Sequence, residues 1–128
     1  MEIKPQGLKK EERLTLRRDV EALFEPGHQS FSAFPLRAVF LTTEESGVRI
    51  LVSVSKRHFK RAVRRNHIKR QLREAFRKNK SLLAPARGGV HIAFLWSSNQ
   101  ELTTASVETR MQNLLKRINE RLLAPATP

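Results

Sequence analysis

Twelve of the chain's 25 Lys and Arg residues crowd into one stretch, Lys56 to Lys80 (KRHFKRAVRRNHIKRQLREAFRKNK), with a single acid, Glu74, among them. This stretch constrains the fold most tightly because it sets two demands at once. From about Val63 onward, Ile68, Leu72, Ala75 and Phe76 fall on one face of a helix, an apolar stripe that needs a platform to cover it. Asn66, Arg70, Arg73 and Arg77 recur at i, i+4, i+7 and i+11 on the opposite face, with His67 and Lys69 beside them. Like charges so spaced weaken an isolated helix by a few tenths of a kcal/mol per pair. One glutamate cannot neutralise them, so the face is built to be neutralised by a partner.

The rest of the chain supplies the platform. Leu16, Val20, Leu23 and Phe24 share one helical face, with Thr15 as N-cap and Pro26-Gly27 as the stop. His28 to Ala33 reads as a connection. Phe34 to Leu41 and Val48 to Val54 read as strands, paired as a hairpin with Glu44-Glu45-Ser46-Gly47 at its tip. Pro85 and Gly88-Gly89 close the basic stretch, and Val90 to Trp96 (VHIAFLW) is apolar enough to be a strand buried on both faces. Val107, Met111, Leu114, Leu115, Ile118 and Leu122 then form the cleanest helical stripe, ended by Ala124-Pro125. The expectation is a single α+β domain, 13–124, with helices packed on a small mixed sheet and a polar arm, 1–12, ahead of it.

Composition narrows the function. Outside the basic stretch, thirteen Lys and Arg stand against eleven Asp and Glu, so a nearly neutral domain carries one concentrated cationic element. A polyanionic partner follows, nucleic acid before an anionic membrane, because the apolar face is better explained by the sheet. No apolar run is long enough to span a bilayer, and Met1 to Lys10 lacks the apolar core of a secretory signal. The absence of cysteine fits a reducing compartment, and the cytoplasm is expected. No protein active site is expected either. His28, His58, His67 and His91 lack metal spacing, and the acidic pairs Glu11-Glu12 and Glu44-Glu45 sit in polar segments.

Within the basic stretch, Phe59 and Val63 fall off the stripe, so Lys56 to Ala62 reads as a loop entering the helix. Lys56, Arg57, Lys60 and Arg61 then extend the cationic surface around the helix N-terminus, where phosphate is favoured. Guanidinium groups suit bidentate phosphate contacts, and Asn66 can read a base edge or a 2′-hydroxyl. A helix-turn-helix DNA reader is disfavoured because a strand precedes the basic helix.

Three strings carry a resemblance: Ser53-Val54-Ser55-Lys56-Arg57, Arg65-Asn66-His67-Ile68-Lys69-Arg70 and Arg73-Glu74-Ala75-Phe76-Arg77. Together with Arg13-Leu14, the helix ending Leu23-Phe24, the late strand and the last helix, they resemble the protein subunit of bacterial ribonuclease P over roughly 13–123. A structural RNA-binding protein of the ribosomal type would share the charge but not this ordered string. The resemblance implies a fold similar to the second domain of ribosomal protein S5, with a left-handed crossover through the basic helix. It implies a monomer bound one-to-one to a catalytic RNA, assisting removal of the 5′ leader from precursor tRNA, with the hydrolysis carried out by Mg2+ held mainly by the RNA. No residue of the chain is then catalytic, and none is expected to hold a metal.

By that resemblance Arg65, Asn66, Lys69, Arg70 and Arg73 face the RNA, and Lys56 and Arg57 match the strand-end basic pair; the charge pattern adds Lys60, Arg61, Arg64, His67 and Arg77 to the expected RNA-facing residues. The leader is expected in a cleft between the first and the basic helices, over the sheet, against Val20, Phe24 and Phe40. The chain departs from the family pattern in three places. His67 stands where an arginine is usual. The loop His58 to Ala62 is one residue longer and lacks a glycine. Val20 replaces the first of two phenylalanines, leaving Phe24 and Phe40 either as aromatic platforms for the leader or as ordinary core residues.

Overall fold

The computed structural model describes residues 13–14, 17–24, 29–44, 47–83 and 89–123. The elements run α1 (Arg17–Ala22), β1 (Gln29–Ala33), β2 (Leu36–Thr43), β3 (Gly47–Val54), α2 (Ala62–Asn79), a 3-10 turn (Lys80–Leu82), β4 (Gly89–Trp96) and α3 (Thr104–Leu123). The expected arm 1–12, Thr15-Leu16, Pro26-Gly27, Pro85 and Ala124-Pro125 lie outside the described residues. The chain is a small α+β domain with a four-stranded mixed sheet of order β1-β2-β4-β3.

The hairpin expected between the second and third strands is not formed. β2 and β3 each pair with β4, antiparallel and parallel respectively, and Thr43 and Gly47 both stand opposite Gly89. Thr43 and Gly47 therefore stand two strand spacings apart, about 10 Å, on either side of the end of β4. Gly47 adopts φ 109°, a backbone state that favours glycine. The reason lies in β4 itself. Four of its eight residues, Val90, Ile92, Phe94 and Trp96, are buried on the face under α2 and α3, and Ala93 is buried on the other, so β4 is covered on both faces as a central strand is.

β1 is a strand where a connection was expected. Its alternation points Phe31 and Ala33 toward the core and exposes Ser30 and Ser32. Serine-rich outer positions masked the period of two. A tight turn at Phe34-Pro35 joins it to β2, so the hairpin lies one strand earlier than expected. Pro35 sits in that turn rather than in the strand.

Residues of alternate parity build two cores on opposite sides of the sheet. On one side Ala38, Phe40, Ile50, Val52, Ile92 and Phe94 meet Ile68, Leu72 and Phe76 of α2 and Val107, Met111, Leu114, Leu115 and Ile118 of α3. Those five α3 side chains are fully buried, each contributing roughly 1.5–3 kcal/mol. Leu83 is also in this core. On the other side Val39 and Ala93 meet Leu14 and Leu23, with Val20, Leu41, Leu51 and Leu95 partly covered. α1 is short, and Leu23 and Phe24 belong to the turn that ends it. β3 and α2 join the parallel pair β3–β4, so the cationic helix is the crossover of the fold.

Candidate nucleic-acid interface

α2 begins at Ala62, one residue before the expected start near Val63, with Arg61 extended ahead of it and no acid in the first turn. Ile68, Leu72, Ala75 and Phe76 are buried, while Val63 is 80% exposed. The opposite side is cationic. Lys56, Arg57, Lys60, Arg61, Arg64, Asn66, His67 and Arg70 are exposed, and Arg65, Lys69, Arg73 and Arg77 are half-buried.

The twelve expected RNA-facing residues are not equivalent. Arg65 donates from Nη1 to the Phe59 carbonyl at 2.7 Å and to the Lys60 carbonyl at 2.9 Å. It fastens the loop to the helix, and the side chain of Phe59, only 3% exposed, plugs that loop into the core. Phe59 is off the helical stripe because it is not on the helix, yet it packs with the same core. Arg64 Nε lies 3.4 Å from Glu101 Oε2, an exposed pair of small energetic value. Arg77 is bound by Glu74 one turn earlier, through Nε at 3.1 Å and through Nη2. That bond holds the Glu74 carboxyl below the usual range and the Arg77 guanidinium above its own.

Arg73 is the opposite case. Burial first, and then the neighbouring charge of Arg13, press its guanidinium below the ordinary arginine value. Arg13 arrives there because it bridges to Ile50 on the outer side of β3, where the Leu14 N–H donates to the Ile50 carbonyl at 2.8 Å. Two like charges are thus held together beside a partly desolvated site, an arrangement that an anion relieves. Sequence reasoning missed Arg13. Its sequence signal was the Arg13-Leu14 pair within the resemblance, which gave it no contact with the basic helix.

The side of the sheet away from α2 and α3 is only partly covered. Exposed Arg37 and Ser53 flank half-buried Leu95 in one row, and Leu41, Leu51 and Val20 are half-buried beside it. Phe24, at the end of α1, is 49% exposed. α1 and α2 therefore lie against opposite sides of the sheet, which corrects the expected cleft between them. Phe40 also requires correction. It is fully buried under α2 and α3 and stacks on Phe31 with ring centroids 5.7 Å apart, so it offers no platform to a ligand. Its parity in β2 turns it away from Val20 and Phe24.

Among the described residues no three His, Asp or Glu side chains gather as metal ligands. None of the described helices is long and apolar enough to cross a membrane.

Comparison with known proteins bears on this surface. The pattern of the family described as Ribonuclease P matches residues 8–119. A chain named "Ribonuclease P protein component" from Porphyromonas gingivalis is 41% identical, over 88% of this chain and 86% of that one. A protein of the same name from Xylella fastidiosa is 34% identical, over 88% and 80%. Among solved structures, the RNase P protein of Thermotoga maritima superposes with a TM-score of 0.71 at 29% identity, covering 83% of this chain and 96% of that one.

Proposed function

Since the chain belongs to the ribonuclease P protein family, the protein component of a bacterial endoribonuclease that matures the 5′ ends of tRNA, we propose how its two surfaces divide that work. The cationic side of α2 and its entry loop binds the catalytic RNA. The partly open side of the sheet, with Val20 and Phe24, grips the single-stranded leader of precursor tRNA. Mg2+ held mainly by the RNA would supply the hydrolytic chemistry. The protein is a monomer in a one-to-one complex, in the cytoplasm.

The observation that carries this reading is the one-sidedness of α2. Ile68, Leu72, Ala75 and Phe76 are spent on the core, whereas Arg64, Asn66, His67 and Arg70 of the helix and Lys56, Arg57, Lys60 and Arg61 of its entry loop are exposed. Planar guanidinium groups and a compact ammonium set on a rigid helix complement a phosphate backbone. If about six of them meet phosphates, affinity for the RNA falls by roughly three orders of magnitude between 50 and 200 mM salt. The leader surface follows a different logic. Half-buried leucines, an exposed phenylalanine and an exposed arginine suit splayed bases and a backbone together.

Reconstitution tests the proposal. The protein is mixed with a bacterial ribonuclease P RNA and labelled precursor tRNA at low Mg2+. It is expected to lower the Mg2+ requirement and to favour precursor over mature tRNA. If it does neither, the proposal fails.

A further inference from the structure

A cavity of about 460 Å³ opens between the loop that enters α2 and the turn that follows β4, lined by His58, Phe59, Lys60, Arg61, Arg64 and Asn99. We propose that it is a pocket for a single unpaired nucleotide of the RNA bound by the α2 surface, with Asn99 and His58 reading the base and the cations holding its phosphate. The proposal rests on the RNA-binding reading of α2 and adds to it a site that draws on a second part of the chain.

The volume belongs to the size class of small-molecule sites, larger than a lone phosphate needs. Its lining is cationic and polar, which disfavours an apolar occupant. Lys60, Arg61 and Arg64 bring three positive charges, with Glu101 paired to Arg64. Phosphate is the natural counter-charge. The two remaining polar groups are of a different kind. The Asn99 amide carries a donor and an acceptor in one plane, the pattern that matches a base edge. The His58 imidazole is flat and half-buried, suited to stacking on a base. A paired base in an RNA helix has its face stacked and its Watson–Crick edge engaged, so the occupant is an unpaired nucleotide.

The walls are fixed before any ligand arrives. Phe59 anchors the floor in the core, and the His58 and Phe59 N–H groups both donate to the Ser55 carbonyl, at 3.1 and 3.2 Å. Arg65 clamps the Phe59 and Lys60 carbonyls from behind. On the far wall, the Ser97 N–H donates to the Pro35 carbonyl at 2.8 Å. Buried Ser98 accepts from the Gln100 N–H at 3.0 Å, and Trp96 Nε1 donates to the Gln100 carbonyl at 3.1 Å. Asn99 is thus carried on a turn held at both flanks. A preformed site loses little on ordering, which favours a ligand that must itself be immobilised.

The test uses the full chain bound to a bacterial ribonuclease P RNA, with the 2′-hydroxyl reactivity of every nucleotide read by acylation. Wild-type protein is expected to change the reactivity of one unpaired nucleotide that the doubly substituted protein, His58→Ala with Asn99→Ala, leaves as in free RNA. Affinity should fall about five- to tenfold in that variant, the loss typical of one stacked base. Circular dichroism checks that the variant is folded, and the single variant Asn99→Ala should show the same nucleotide change in weaker form. If wild type and variants protect identical nucleotides, the pocket is overturned while the RNA-binding reading stands. If affinity falls with no localised nucleotide change, the site serves phosphate alone and the proposal is overturned as well. If wild-type protein does not bind the RNA at all, the RNA-binding reading has failed first.

Discussion

The Arg65 guanidinium spends its Nη1 on two loop carbonyls, so its charge and its shape have separate consequences. Arg65→Lys keeps the charge and loses the fork. Its unfolding midpoint should fall by the equivalent of about 1.5 kcal/mol, while the salt dependence of RNA binding stays unchanged. Urea titration and salt-dependent binding measure the two. The phenylalanines divide in a similar way. Phe40→Ala should cost about 3–5 kcal/mol through the cavity it leaves. Phe24→Ala should cost about 1 kcal/mol and instead weaken discrimination for precursor over mature tRNA. A leader defect from Phe40→Ala in protein that remains folded would contradict the assignment. At Glu74 the sign of the pH effect is fixed by its depressed carboxyl, held down first by the hydrogen bond from Arg77. Its contribution is complete above the unfolded carboxyl range near 4.3 and is lost as pH falls through the lower folded value. In Glu74→Gln that part of the acid limb of a stability–pH curve should vanish. Charge and periodicity were enough to find these side chains. Burial of Phe40 was not visible, because a strand's alternation gives two faces without saying which one the helices cover.

Along α2, Arg70 and Arg73 share one side but not one environment. Arg70 is exposed, whereas Arg73 is half-buried beside Arg13. Replacing both with alanine should flatten the salt slope of RNA binding by about one unit per lost phosphate contact. The same change should leave stability unaltered or slightly raised, because it removes a desolvated cation and a like-charge contact. An unaltered slope would mean these side chains point elsewhere. The helices α2 and α3 were legible in the sequence because their apolar stripes run at a helical period. So was β4, whose unbroken apolar run demands cover on both faces. The seat of β4 between β2 and β3 was not. A short polar link after one strand and before another is the ordinary sign of a hairpin, and only pairing across 40 or more residues overrides it. The Asn79 network was equally hidden. Asn79 Nδ2 donates to the Ala75 carbonyl at 2.8 Å and to Glu108 at 3.2 Å, and its Oδ1 accepts from Gln112, joining α2 to α3 through a buried polar residue.

At the scale of the molecule, the sheet separates two kinds of surface. One side is closed by α2 and α3, and the exposed cationic side of α2 is the surface proposed for the catalytic RNA. The other is partly open, the surface proposed for a single-stranded leader. Strand order has a further consequence, in time rather than in space. β4 is made after α2 and takes a place between strands synthesised before it. A nascent chain that has reached Leu83 holds its most highly charged helix and two strands whose shared neighbour does not yet exist. The platform that α2 needs is therefore finished only when Trp96 has emerged. A fragment ending at Leu83 should show no cooperative unfolding and rapid proteolysis, whereas addition of residues 84–123 should restore both protection and a single transition.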